Sequence, residues 1–230
     1  MQKFFLALLF FIVAYSCNPK IADGIHKNDL KKDIEILTDK GIIVVRLSDS
    51  TPLHRNNFLK LVKQGYYDSM LFHRVINKFM IQSGDPDSKH AKPGQELGNG
   101  GPTYMIPAEF HTTLFHHKGV IAAAREGDDV NPKKQSSGSQ FYIVQGKKFS
   151  DSTLDLIETK RLHRKIPVDQ REIYKTIGGT PHLDQNYTIF GEVIKGLDVV
   201  DSIAIVKTDS LDRPLEDVRI IKMKLIKRKN

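Results

Sequence analysis

Residues 72–85 read FHRVINKFMIQSGD. Two short apolar runs, 71–76 (LFHRVI) and 79–83 (FMIQS), flank Asn77-Lys78, the pattern of two strands joined by a tight turn. Among their Phe, Val, Ile and Met neighbours, the first run carries an arginine, Arg74, and the second a glutamine, Gln82. A guanidinium on an apolar wall is either a solvated surface group or the centre of a site. Strand alternation puts Met80 and Gln82 on one face and Phe79 and Ile81 on the other, unless the turn twists Phe79 round. In the later run SQFYIV (139–144), the same rule pairs Gln140 with Tyr142. Two strands thus each offer an amide beside a large apolar group, as a small-ligand or peptide site requires. Periodicity alone leaves the plainer reading open, with the aromatics in a core and the glutamines in solvent.

Working outward, DIEILT, DKG and IIVVRL (33–47) predict a β-hairpin, with Gly41 at the permissive turn position. Thr51-Pro52 predicts a helix start, cap then first-turn proline, and Phe58, Leu59 and Val62 continue at helical spacing to Gly65. Further strands are expected at 120–124, 140–144, 187–193 and 218–226, with a helix at 197–203. Many short strands and two clear helices predict a closed or nearly closed antiparallel barrel. Residues 147–179 break that rhythm and are expected to be a helical insertion lying on the barrel. Ser152 is its expected cap, Pro167 an interruption and Gly178-Gly179 its stop. The insertion holds eight Lys/Arg against five Asp/Glu.

The chain has 230 residues, 40% hydrophobic and 27% charged, with a formal charge of +8 and one cysteine. That size suits one domain with decoration, and a single cysteine excludes an internal disulfide and a cysteine-based metal cluster. Twelve apolar residues, 4–15, follow Lys3 and precede Ser16-Cys17. The run suits a signal segment and is too short to span a bilayer. Cysteine directly after a small residue resembles a bacterial lipoprotein signal. On that reading residues 1–16 are a signal peptide, Cys17 is lipidated, 17–32 form a tether, and 33–230 form the domain. The expected location is a bacterial membrane surface facing the periplasm, where the basic excess meets anionic lipid.

Other chemistries find little footing. His111, His116 and His117 lack a ligand spacing with cysteine or carboxylate partners and are expected as exposed loop residues, with no metal. There is no G-x-S-x-G nucleophile signature, no phosphate cradle opening a helix and no basic stretch interleaved with aromatics for nucleic acid. What remains is a set of residues that neither attack nor titrate.

Together FHRVINKFMIQSGD, GQELGNGGPTYMIPAEF, GVIAAAR, SSGSQFYIV and HLDQNYTIFGEVIKGLDVVDSIA resemble the cyclophilin-type peptidyl-prolyl isomerases, in order and across 33–230 apart from the insertion. The resemblance implies a mainly β fold: a closed eight-stranded antiparallel barrel capped by two helices, here with the extra helical insertion. It implies rotation about the amide before proline, without a cofactor, on proline-containing peptides and folding exported proteins. A monomer is expected. Arg74 matches the catalytic arginine. Phe79, Met80, Tyr142 and Leu183 match the pocket for the proline ring. Gln82 and Gln140 match groove glutamines that bind substrate backbone or organise Arg74, and Ala124 and Arg125 match the next stretch of wall. Tyr142 stands for the usual phenylalanine, Tyr187 for a common histidine and Arg125 for a common asparagine. His182 stands where well-known eukaryotic members have a tryptophan that helps hold cyclosporin, so weak inhibition by that drug is expected. The alternative reading is a proline-peptide-binding holdase or scaffold with little turnover. The insertion leaves the 140–144 strand and returns just before His182, which suggests a rim contacting folding clients; the other reading is a surface ornament with no functional part.

Overall fold

The computed structural model describes residues 24–228. The expected signal segment, Cys17 and the first part of the expected tether lie outside them. The DKG turn brings Thr38 opposite Gly41, joining β1 (Lys32–Thr38) to β2 (Gly41–Leu47). Helix α1 (Pro52–Lys63) follows, then β3 (Arg74–Ile76), β4 (Met80–Ser83), the short β5 (Met105–Ile106), β6 (Val120–Ala123), the short β7 (Ser136–Ser137) and β8 (Phe141–Val144). The insertion contributes α2 (Asp151–Ile157) and α3 (Val168–Thr176). The chain then completes β9 (Ile189–Lys195), α4 (Leu197–Ala204) and β10 (Ile220–Lys227).

Eight strands form one antiparallel sheet in the order β10-β1-β2-β9-β6-β8-β4-β3. The sheet is open, which corrects the expected closed barrel. Strand β3 is only three residues long, and its outer edge is taken by a loop: the Val75 N–H donates to the Asp212 carbonyl at 2.8 Å. Contact with the β10 side is limited to the segments entering the strands, through the Leu71–Arg219 bridge and bonds such as Phe72 N–H to Val218 O at 2.8 Å.

Alternation gives the sheet two working faces. The inner face carries Ile81, Ile121 and Ile143 into a core closed by Phe58, Leu59 and Val62 of α1 and by Val200 and Ile203 of α4. Phe58 meets Phe141 edge-on at 5.2 Å and Tyr67 at 4.9 Å; burying one such ring contributes about 1.5–3 kcal/mol. Gly84, directly after β4, sits at φ +100°, and a Cβ there would lie 2.3 Å from the Ser139 carbonyl oxygen. Only glycine lets β4 leave the sheet so close to the start of β8.

Three expectations shift. Thr51 makes no side-chain cap for α1; instead the distant Glu109 carboxylate accepts from the Leu53 and His54 N–H groups at 3.0 Å each. The cap of α2 is Ser150, which accepts from the Thr153 N–H, and Ser152 lies within the helix. The tether is docked from residue 24 onward: Ile25 joins the core, and Lys63 Nζ donates to Gly24 O at 2.6 Å and Asp29 Oδ2 at 2.8 Å. Hydrogen bonds from Lys63 and then the His26 N–H hold the Asp29 carboxyl far below the usual carboxylate range.

Candidate active site

The outer face of the sheet builds the site. Register places Arg74 opposite Gln82, Gln82 opposite Tyr142 and Tyr142 opposite Ala122, a single row across β3, β4, β8 and β6. Directly opposed side chains in such a ladder have Cβ atoms about 4.5–5.5 Å apart. Row and neighbours therefore form one surface, with the cation at one end and apolar groups at the other. Met80, Val120, Ala122, Tyr142, Val144 and Ile189 make its buried floor, and Phe79, Leu183, Tyr187 and Ala124 pack at its margin. Phe79 reaches this face because the turn does twist it round: Lys78 is left-handed at φ +62°. A cavity of about 300 Å³ opens here, lined by Arg74, Phe79, Met80, Gln82, Ala124, Arg125, Tyr142, Leu183 and Tyr187.

The polar groups are fixed in series. Gln140 donates through Nε2 to the carbonyls of Gly98 (2.7 Å) and Gly100 (2.8 Å), and its oxygen accepts from Gln82 Nε2 at 3.0 Å. This chain assigns both amide orientations and aims Gln82 within the row. Gln140 itself faces the adjoining hollow under the 98–102 loop rather than the central cavity. No hydrogen bond joins Gln82 to Arg74 in this structure; the group within reach of the guanidinium is the Asp212 carboxylate, 3.4 Å from Nε. Both side chains are about two-fifths exposed, so the pair adds little stability, but it biases the fork's direction. Asp212 is itself left-handed at φ +65°, in a loop whose turn the Asp209 side chain fixes by accepting from the Leu211 and Arg213 N–H groups.

Under the floor lies a buried polar chain. The Tyr142 hydroxyl lies 2.9 Å from His116 Nε2, His116 Nδ1 lies 3.0 Å from Asp184 Oδ1, and Tyr174 of α3 donates to Asp184 Oδ2 at 2.8 Å. The carboxylate also accepts the His116 backbone N–H at 2.8 Å. The arrangement assigns the tautomer: Nδ1–H donates to the acid, and Nε2 accepts from tyrosine. His116 is therefore wholly buried, against the expectation of an exposed loop residue. Sequence reasoning missed both His116 and Asp184. One available signal was that a tyrosine hydroxyl in an apolar pocket needs a partner.

On the rim, His182 stacks on Phe79 with centroids 5.6 Å apart, outside the central cavity. Arg125 lies over the Tyr187 ring at 4.5 Å and donates from Nε to Asn186 O at 2.7 Å. His73, next to Arg74, is 4% exposed. Burial first, with Arg74 and Arg213 adding to it against an opposing pull from Asp85, depresses its pKa to about 4. The ring is thus neutral and sets no second charge beside Arg74.

That depression predicts a pH effect on stability. The unfolded value is about 6.5, so between pH 6.5 and 4 the unfolded chain binds the proton that the folded chain refuses. The contribution is complete above pH 6.5 and drains as pH falls towards 4, by about 3 kcal/mol. Urea midpoints at pH 7 and 4.5 should fall apart for the native chain and converge for His73→Gln. An equal drop in both would remove His73 as the cause. Glu158, held down at about 2, acts in a lower window, below pH 4.5.

Comparison with known proteins shows the family. A family model for the cyclophilin type peptidyl-prolyl cis-trans isomerases matches residues 33–225. A peptidyl-prolyl cis-trans isomerase of Staphylococcus haemolyticus is 34% identical over 203 residues, covering 88% of this chain and 94% of that one. Its counterpart in Staphylococcus aureus is 34% identical over 206 residues, with the same coverage. A crystal structure of a Cryptosporidium parvum cyclophilin superposes with a TM-score of 0.62 over 86% of this chain and 99% of that one, at 24% identity, a likeness of fold. The chain belongs to the cyclophilin-type peptidyl-prolyl cis-trans isomerases, and rotation about the peptide bond before proline is its activity.

Proposed function

We propose that Arg74 drives this rotation, with Phe79, Met80, Tyr142 and Leu183 holding the proline ring. The barrier is about 18–20 kcal/mol because the amide nitrogen's lone pair is delocalised, and the uncatalysed step takes tens to hundreds of seconds. An acceleration of about four to six powers of ten needs roughly 5–8 kcal/mol of selective transition-state stabilisation. No bond breaks, so neither nucleophile nor proton shuttle is needed. What counts is binding the twisted amide better than either planar form. The pocket immobilises the ring while the rest of the peptide turns. The guanidinium donates to the prolyl carbonyl and towards the twisted nitrogen, localising its lone pair.

The observation that supports this reading is the row Arg74–Gln82–Tyr142, which sets a permanent cation two strands from an apolar floor. Gln82 supplies a fixed amide for substrate backbone, and the Ala124–Arg125 stretch supplies the adjacent wall. A second crystal structure of the Cryptosporidium cyclophilin was obtained in the presence of the dipeptide Ala-Pro, and the same peptide class is the substrate proposed here. Exchange between cis and trans signals of an Ala-Pro peptide in NMR, seen with catalytic amounts of protein, tests turnover. Suppression of client aggregation without exchange would favour the holdase reading instead.

The cellular setting is part of the proposal. The apolar run 4–15 followed by Ser16-Cys17 supports lipid anchoring at Cys17, periplasm-facing, with exported proteins as clients. Metabolic labelling with a fatty-acid analogue should mark the native chain and leave Cys17→Ala unmarked. An unlabelled native chain rules the anchor out.

A further inference from the structure

The insertion does more than decorate the sheet. Its helix α2 runs into a π-helical turn, Glu158–Leu162, that ends at the left-handed His163 (φ +51°). Such wide turns recur at functional sites. This one is anchored from below. Buried Glu158 accepts from the Ile166 N–H at 3.0 Å, Arg171 at 2.8 Å and Lys165 at 2.8 Å, and Leu154, Ile166 and Tyr174 form a small core of their own. Between the turn and the 182–187 segment lies an open cleft of about 830 Å³. It is continuous with the proline groove, since Arg125, Leu183 and Tyr187 line both.

The cleft is unbalanced in charge. Three permanent cations line it, Arg125, Lys134 and Arg161, against one carboxylate, Asp128. That carboxylate is already shared, 2.7 Å from Arg125 and 3.5 Å from Lys134. Arg161 is exposed and has no carboxylate within ion-pair distance among the described residues. His182, at the mouth, is held below the ordinary imidazole range: desolvation comes first, and Arg161 adds to it. The positive excess therefore rests on the arginines and the lysine at any physiological pH.

We infer that this cleft is a subsite for an acidic side chain flanking the substrate proline, with Arg161 as its principal determinant. The inference rests on the isomerase reading of the neighbouring groove and deepens it into a substrate class: proline segments carrying Glu or Asp. Leu183 and Tyr187 carry the chain from groove to cleft, and the cations meet the carboxylate at the rim, where charge sets selectivity more than raw affinity.

The test uses Ala-Pro peptides with a single Glu placed in turn at each position on either side of the proline, and matched Gln and Lys twins. In NMR exchange at low salt, one Glu position should lower KM about three- to fivefold against its Gln twin, as expected for rim ion pairs, and high salt should erase the gain. Arg161→Glu should abolish that preference and favour the Lys twin, with turnover of the parent Ala-Pro peptide unchanged. No favoured Glu position, or a preference that survives Arg161→Glu, overturns the subsite. Chemical-shift titration gives the Glu-to-Gln affinity ratio independently of turnover. A chain that exchanges no peptide, the failure of the isomerase reading, is thereby recognised separately.

Discussion

Arg74→Ala should lower kcat/KM for an Ala-Pro peptide at least about tenfold, while the fold and its melting temperature stay close to native. The activity loss follows from the chemistry: with no covalent step, the fork supplies a large share of the roughly 5–8 kcal/mol that a family-scale acceleration demands. The unchanged stability follows from the geometry. The Arg74 side chain is 43% exposed, and its one carboxylate partner, Asp212, is 41% exposed at 3.4 Å. Exposed pairs of this kind contribute about 0–1 kcal/mol. Arg74→Lys should restore little, because an ammonium keeps the charge and loses the planar fork. NMR exchange on the three proteins, with thermal melts alongside, decides the matter. An Arg74→Ala protein that exchanges the peptide at the native rate removes the residue from its role.

The row that makes Arg74 consequential was largely legible in FHRVINKFMIQSGD. Period-2 alternation alone puts Met80 beside Gln82 and Gln140 beside Tyr142, because a pleated strand allows no other division of its side chains. The same rule could not place Phe79, since one left-handed residue, Lys78 at φ +62°, decides the face. Nor could it reach Asp212, which meets Arg74 only because a distant loop fills the edge of β3. The closed barrel failed for a related reason. Counting strands says nothing of where a ladder runs out, and here it ends at a three-residue strand whose edge is occupied. Insertions are harder still. Composition showed residues 147–179 to be helical and basic, whereas the link that ties them to the pocket needs side chains from three separate segments: His116, Asp184 and Tyr174.

That link carries the second large expected effect. Asp184→Ala should destabilise the fold by at least about 3 kcal/mol, because it strips the acceptor from the His116 N–H, His116 Nδ1–H and Tyr174 O–H together in a fully buried place, at about 1–3 kcal/mol for each donor left unpaired. For a domain of this size that is a drop in Tm of about 6–12 °C. Tyr142→Phe is the informative contrast. It keeps the ring on the pocket floor and removes only the hydroxyl that meets His116 Nε2. It should cost about 1–2 kcal/mol of stability and leave kcat/KM within about threefold of native, since the proline ring meets carbon atoms there. Tyr142→Phe and Tyr174→Phe act at opposite ends of one chain, so their combined loss should depart from the sum by about 0.5 kcal/mol or more. Strict additivity, or an Asp184→Ala protein that melts with the native one, would mean that the insertion and the pocket floor are energetically separate. Coupling would mean that the segment added to this isomerase is also part of what holds its proline pocket in shape.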